Sequence, residues 1–315
     1  MRLFVLASFV QACCWTVGRL PKAGETLLAS GVNVEAGGKG LNVAICSRRL
    51  GAEVNLAVGM GEDAAADELL SLLQKEQIAT TYCYALAKQS GYGAGLISAC
   101  GQNAIAVYPG PNLMLAAEHI VQASPCILES DLVYGQFETS ISAIEQAFSI
   151  AKTDKILTVL NPSPWQAIPQ SLLHNTDLII VNEIEAAHLL NCEALNLHDI
   201  NQEQLQNLIH TLAAAATRFY QQWQGQCLVI TLGEHGSVAF LPDGQFEYAA
   251  AYLIKAVDTV GAGDAFASGF CVAYGLKKSL SEALQYGNAC GAILANACGV
   301  LHALPCNKKV TQFMS

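Results

Sequence analysis

The sequence predicts an α/β fold: a doubly wound, mostly parallel sheet covered by helices on both faces, with a small second β-sheet as a lid. Three observations carry this. Short β-branched or apolar runs alternate with helical patterns through most of the 315 residues, the pattern of parallel strands joined by crossover helices. Two glycine-rich segments, Gly37–Gly40 and Gly261–Gly263, each stand directly before a helical run. Two stretches, Leu27–Glu35 and Tyr92–Tyr108, read as extended with no helix after them, so they are assigned to the separate sheet.

Leu3–Ser8 is read as the opening strand of the main sheet. Residues 1–14 also resemble a short export signal, with Arg2 ahead of an apolar run, but the sheet needs a first strand and that reading is preferred. Val54–Val58 is a strand and Asp63–Glu76 an amphipathic helix. Tyr92–Cys100 and Ala104–Tyr108 flank Gly101-Gln102-Asn103, a hairpin turn signal. Leu132–Tyr134, Ile156–Leu160, Leu178–Val181 and Cys227–Thr231 are strands; Ser140–Lys152, Glu183–Leu190 and Gln202–Gln222 are helices. Residues 283–301 are uncharged and long enough to cross a bilayer. Gln285, Asn288, Asn296 and three glycines would be costly in lipid, so a core helix is expected. No low-complexity stretch, linker or repeat divides the chain, which implies one domain over residues 1–315 with lid segments at about 10–35 and 90–110.

Charged residues make up 13% of the chain and apolar ones 52%, against about 25% charged in an average soluble protein. The net charge of −10 leaves no basic stripe for nucleic acid. Twelve cysteines occur with no CxxC pair. They are read as reduced, buried, small hydrophobes of a cytoplasmic protein with no membrane partner, not as a metal cluster.

The strongest local motif is Asp258-Thr259-Val260-Gly261-Ala262-Gly263-Asp264, followed by an apolar helical run to Tyr274. Small residues at 261–263 permit a tight turn and present successive N–H groups at a helix N-terminus, a ready anion site. Asp264 falls in the first helical turn. A carboxylate there can accept the proton of a hydroxyl attacking a phosphoryl group, or it can simply cap the helix. The second motif is Gly37-Gly38-Lys39-Gly40-Leu41-Asn42. Its spacing is not that of the GxxxxGK[ST] phosphate loop. Bare backbone allows a ligand to approach, with Lys39 and Asn42 as polar contacts; the other reading is a helix-entry turn with a surface lysine.

Together the two motifs, more than 200 residues apart, make the chain resemble the ribokinase-like (PfkB-type) carbohydrate kinases. The first of the family's signatures is GGKGxN and the second DTxGAGD. Further matches are Pro21-Lys22-Ala23-Gly24-Glu25-Thr26, Gly59-Met60-Gly61-Glu62-Asp63, Gln136-Phe137-Glu138, Asn161-Pro162-Ser163-Pro164, Asn182-Glu183-Ile184-Glu185 and Thr231-Leu232-Gly233-Glu234-His235-Gly236. The resemblance implies a ribokinase-like fold and ATP-dependent phosphorylation of a sugar hydroxymethyl. Asp264 would be the base, and the amides of Gly261, Ala262, Gly263 and Asp264 the anion hole. Gly38, Lys39, Asn42 and Glu138 would hold the sugar, although Glu138 also reads as a solvated carboxylate. Asn182, Thr231, Gly233, Gly236 and Asn288 would serve the nucleotide, with a helix-start role for Asn182 as the alternative. Glu185 would act on Mg²⁺ through water. A K⁺ site is implied at Asp258 and the carbonyls of Val260, Leu294, Ala297 and Gly299, with Ala303 where the family has a hydroxyl. Lid edges often pair between subunits in this family, so a homodimer is implied by analogy alone.

One departure bears on substrate. Ribokinases follow their first strand with an Asn-x-Asp that binds sugar hydroxyls. Counted back without gaps from Gly24-Glu25-Thr26, those places hold Val10 and Ala12. The expected substrate therefore sets an apolar or differently oriented group against Val10, Ala12 and Cys13. A nucleoside or sugar-phosphate kinase with Lys39 facing a substrate phosphate, and a catalytically silent sugar- or nucleotide-binding regulator, are the other readings.

Overall fold

The computed structural model describes every residue except 99–102, 194, 196 and 198. Its thirteen described strands are β1 (Arg2–Ala7), β2 (Val10–Val17), β3 (Gly31–Gly37), β4 (Glu53–Met60), β5 (Tyr82–Ala85), β6 (Gly91–Ser98), β7 (Asn103–Tyr108), β8 (Leu132–Gln136), β9 (Leu157–Asn161), β10 (Leu178–Asn182), β11 (Cys227–Thr231), β12 (Ser237–Phe240) and β13 (Phe246–Ala249). The helices are α1 (Lys39–Arg49), α2 (Ala64–Lys75), α3 (Ala117–Gln122), α4 (Ser124–Leu128), α5 (Ile141–Thr153), α6 (Gln170–His174), α7 (Glu183–Leu189), α8 (Gln202–Tyr220), α9 (Ala262–Gly275), α10 (Leu280–Ala295) and α11 (Asn307–Met314).

Nine strands form one sheet in the order β13-β12-β11-β10-β9-β8-β1-β4-β5. Neighbours from β5 to β11 run parallel; β12 pairs antiparallel with both β11 and β13. Parallel strands buried on both faces are apolar throughout, and Leu3–Ala7 of β1 is wholly buried. Alternate residues serve opposite layers. Leu3, Val5 and Ala7 pack with residues of α1, α2, α9 and α10. Phe4 and Leu6 pack with residues of α3, α4 and α5. Helix α8 covers the far end of that second face, over β10–β12.

The chain winds outward from β1 in two directions, first through β4 and β5, then from β8 through β13. Strand order therefore reverses between β1 and β8. In open α/β sheets the crevice beyond the carboxyl ends of such a pair is where ligands bind. Here that crevice is walled by Ser8, just after β1, and by Gln136–Glu138 at the end of β8.

The second sheet has the order β3-β2-β6-β7. The sequence did not mark β2 as a separate strand. Because β2 pairs parallel with β6 and antiparallel with β3, it is the centre of the small sheet. The expected extended stretch at Leu27–Glu35 is a strand only from Gly31. The pairing of β6 with β7 is antiparallel, as the turn signal predicts; Gly101 and Gln102 of that signal lie outside the described residues. The uncharged segment 283–301 is helical only to Ala295. Among the described residues no helix is long and apolar enough to cross a membrane. The cysteines depart from expectation: Cys46, Cys227, Cys271 and Cys290 are buried, whereas Cys298 and Cys306 are exposed and Cys13, Cys14, Cys83, Cys126 and Cys192 are half-buried. Cys13 and Cys14 are only partly covered because they belong to a two-faced strand of the small sheet.

Candidate active site

The switch-point crevice is built by close approach of α1 to the end of β1. Gly38 has φ +120°, and a Cβ on it would lie 2.3 Å from the Ser8 carbonyl oxygen. A Cβ on Gly40 would lie 2.6 Å from Ala7 Cα. These two glycines let the helix start sit on the strand end; their bareness first serves packing.

A buried polar network then fixes Glu138. Its Oε2 accepts from the Lys39 N–H at 2.8 Å and from Ser8 Oγ at 2.7 Å. Ser8 Oγ in turn accepts from Gln136 Nε2 at 3.1 Å and the Gly40 N–H at 3.2 Å. Gln136 Oε1 accepts the Glu138 N–H at 2.8 Å. Ser8 and Gln136 have no exposed surface. Both bonds to the Glu138 carboxylate fall on Oε2, so Oε1 remains available to accept from a ligand hydroxyl. Ser8 was missed as a site residue because a strand-end serine is common; its signal was the glycine pair packed against it.

Asp264 lies in the first turn of α9, 5% exposed, and accepts from Asn42 Nδ2 at 2.8 Å. Burial raises its pKa to about 6, against the lowering effects of Lys39 and the Asn42 hydrogen bond; Glu138 and Glu185 add to the rise. Lys39 answers in kind: Asp264, then Glu138 and Glu185, raise its pKa, against burial. These are the mutual effects of a cation sharing a cleft with three carboxylates.

Gly261 caps α9 in the left-handed region, φ +78°, and a Cβ there would meet Val300 Cγ1 at 2.7 Å. The Ala262 N–H donates to the Thr259 carbonyl at 3.2 Å. Among the described residues, the N–H groups of Gly261, Gly263 and Asp264 have no acceptor. The anion site expected over residues 261–264 thus has three open amides, with that of Ala262 engaged in the turn. Beyond the helix's own turn, no atom lies within 4 Å of where a Gly263 Cβ would stand, so no other segment crowds this position.

Asn182 and Glu185 form a reciprocal cap on α7: the Glu185 N–H donates to Asn182 Oδ1 at 2.8 Å and the Asn182 N–H to Glu185 Oε2 at 3.0 Å. The helix-start role of Asn182 is therefore present in the fold. Glu185 is buried, and its charge acts on both Asp264 and Lys39. Thr231 ends β11, its Oγ1 donating to the Val181 carbonyl at 3.4 Å. Gly233 (φ +55°) has open space beside it, whereas a Cβ on Gly236 would strike the Ala249 carbonyl oxygen at 2.1 Å. Asn288, expected near a nucleotide base, uses Nδ2 to hold the carbonyls of Ala249 at 3.0 Å and Ala250 at 3.2 Å. Asp258 accepts from the Val260 N–H at 3.1 Å and the Gly299 N–H at 3.3 Å, tying the turn before α9 to the loop after α10. Leu294 lies against Gly261, and its carbonyl accepts the Ala297 N–H at 3.0 Å.

Two residues anchor the roots of the small sheet: Asn112, which sequence reading left unmarked, and Asp63, which it placed in a motif and at a helix start without this role. Buried Asn112 accepts the Phe9 N–H at 2.7 Å and donates to the Phe9 and Pro109 carbonyls, each at 2.7 Å. Asp63 caps α2 and accepts from the Ser90 N–H and hydroxyl at 2.8 and 2.7 Å. They fasten the starts of β2 and β6 to the main body.

A cleft at a doubly wound switch point, with a buried carboxylate beside open helix-start amides, defines a site suited to group transfer onto a hydroxyl. The profile of the pfkB family of carbohydrate kinases matches residues 5–306, and the chain belongs to that family. It is similar to a ribokinase of Staphylococcus aureus (strain COL), 33% identical over 302 residues covering 94% of each chain. It is also similar to a deoxyribokinase of Salmonella typhi, 26% identical over 317 residues covering 100% of this chain and 99% of that one. An Arabidopsis thaliana ribokinase, solved in complex with ribose and ATP, shares the fold with a TM-score of 0.86 at 24% identity, over 99% of this chain and 98% of that one.

Proposed function

We propose that the protein transfers the γ-phosphoryl group of ATP to the hydroxymethyl group of a sugar or sugar-like substrate. Asp264 takes the hydroxyl proton as the oxygen attacks phosphorus, and the bond to the bridging oxygen of ADP breaks. The observation that supports this most is the joining, in one helical turn, of a buried carboxylate and three N–H groups without acceptors. A carboxylate with its pKa raised toward neutrality is suited to general-base work, and open amides stabilise charge developing on the transferred group.

ATP as donor rests on the family resemblance and the kinase relatives. Gly38, Lys39, Asn42 and Oε1 of Glu138 would orient the sugar; Thr231, Gly233, Gly236, Asn182 and Asn288 would shape the nucleotide end. Mg²⁺ fits beside Glu185, which has one oxygen in the α7 cap and one free, and would neutralise phosphate charge. The small sheet, anchored through Asn112 and Asp63, is assigned as a lid excluding water.

The test is ADP release across a panel of sugars, sugar phosphates and nucleosides. Substrate-dependent release with a free sugar is expected. Release only with phosphorylated sugars or nucleosides would favour the second reading, with Lys39 on a substrate phosphate or a base against the lid. Ligand binding without ADP release from any compound would make the protein a silent regulator and end the proposal.

For K⁺, Asp258 and the carbonyls of Val260, Leu294, Ala297 and Gly299 supply hard oxygen donors, and Ala303 leaves the set one hydroxyl short. Activity is expected to rise when Na⁺ or Tris⁺ is replaced by K⁺ at constant ionic strength. Equal rates in all three salts would leave Asp258 as the brace between Val260 and Gly299.

A further inference from the structure

One face of the small sheet has no carboxylate at Ala12 but carries one at Glu35. Pairing in β2, β3 and β6 sets Ala12 opposite both Glu35 and Gly93, with Val10 opposite Gly37 and Gly91, and Cys14 beside Gly95. Residues directly opposite share a face. Val10, Ala12, Cys14, Glu35 and the three glycines of β6 therefore lie on one side. Along β6 this is the covered side, Gly91, Gly93 and Gly95 being buried while Tyr92 and Ala94 between them are exposed; toward the β7 edge the same side opens, with Ile105 and Val107 exposed. Burial, then the charges of Glu35, Cys13 and Asp258, raise the Cys14 pKa; the small sheet therefore lies near the turn that leads into Asp264.

Glu35 is the sole carboxylate on this face among the described residues. It is half-buried, and it has no hydrogen bond or ion pair with any described residue. A carboxylate without a protein partner has its acceptor capacity free for a ligand. Toward the root of the sheet its neighbours on the face are small: Ala12 beside it, Gly37 next along β3, and Gly93 one strand further; Asn33 is the neighbour on the other side along β3. The atoms nearest a Cβ on Gly93 would belong to Ala12 and Val10, at 3.7 Å or more. The side chain thus faces space that larger residues would have filled.

We propose that Glu35 is the substrate-binding carboxylate of the lid, accepting hydrogen bonds from sugar hydroxyls in place of the side chain missing at Ala12. The proposal rests on the sugar-kinase reading. It moves the acceptor one strand sideways, about 4.8 Å, onto a longer side chain. The hydroxyl it selects projects toward β3, or further from the ring than one met from β2. A carboxylate accepts two hydroxyls at once, so the ligand class is a polyhydroxylated sugar with adjacent hydroxyls on that edge.

The experiment is calorimetric measurement of sugar affinity, independent of turnover, for wild type, E35Q and E35A. The ligands are the tightest-binding sugar of the panel and its analogues lacking one hydroxyl each. E35A is expected to weaken the parent sugar about 10–100-fold, with nucleotide affinity unchanged and E35Q in between. For one analogue the wild-type preference for the parent should vanish in E35A, since both then lack the same bond. A12D/E35A, which returns a carboxylate to β2, should recover affinity with a different order of preference among sugars. The proposal is overturned if E35Q and E35A bind every sugar as wild type does. It is equally overturned if they weaken parent and analogues by the same factor, or if wild type binds no sugar. Sugar binding that depends on Glu35 without ADP release would end the kinase reading alone.

Discussion

Asp264→Asn is expected to lower turnover by roughly 10²–10⁴-fold, the scale of general-base contributions, while nucleotide binding persists. The substitution keeps the shape and the α9 amides and removes only the proton acceptor. Near-normal turnover in D264N would end the assignment. The same group sets the pH profile. An unperturbed aspartate is ionised down to about pH 4; here burial raises the pKa to about 6, so wild-type activity should fall as pH drops below about 6. A profile flat to pH 4.5 would contradict this. The sign for stability is the reverse of a salt-bridged carboxylate. The folded protein holds this proton more tightly than the unfolded chain does, so the stabilising contribution is full below about pH 4 and is lost as pH rises through 6. D264N should then be no less stable than wild type at pH 8, and lost activity will not be lost fold.

The main sheet was legible because its strands are apolar throughout and its helices follow within a few residues. Cys227–Thr231 has the same bounds in sequence reading and structure, and Leu178–Val181 differs by one residue from β10. The small sheet was less so. Val10–Val17 carries no clear alternation and no turn residue separates it from Ser8, so β2 was placed within the lid segment of about 10–35 but not marked as a strand. Yet the facing of each β2 residue follows from pairing alone, and one expectation changes with it. Cys13 pairs with Val34 and Ala94, on the face opposite Val10 and Ala12, and cannot line the same wall. In the active-site cleft, the glycine motifs and Asp264 announced themselves through spacing. Ser8 and Asn112 did not, because single polar residues acquire meaning only when tertiary contact buries them. Glu35 is of the same kind: in sequence it is one acid near a glycine run, and only the register places it beside Ala12.

The second large effect concerns ribose. Val10 and Ala12 have no side-chain acceptor for sugar hydroxyls, and both lie on the same face of β2. A ribose bound there as in the ribokinases that carry Asn-x-Asp would leave hydroxyls desolvated and unpaired, at about 1–3 kcal/mol each. Two such losses, about 2–6 kcal/mol together, amount to roughly 1.5 to 4 orders of magnitude in affinity, at 1.4 kcal/mol per tenfold. Glu35 does not restore that arrangement, since an acceptor displaced by a strand meets a different hydroxyl. The relatives' names do not decide the matter, for a ribokinase and a deoxyribokinase both align along nearly the whole chain. The preferred substrate is therefore expected to set an apolar or differently oriented group against Val10 and Ala12, as a deoxy sugar, a modified sugar or a nucleoside would. Its hydroxymethyl should still reach Asp264, because Lys39, Asn42 and Glu138 are held in place by α1 and the end of β8. Comparison of kcat/KM for ribose, fructose, deoxy sugars and nucleosides measures this directly. Ribose should rank about a hundredfold or more below the best compound. If ribose instead led by a wide margin, the inference from Val10 and Ala12 would be wrong, and the backbone or water around β2 would have to supply the acceptors their side chains lack.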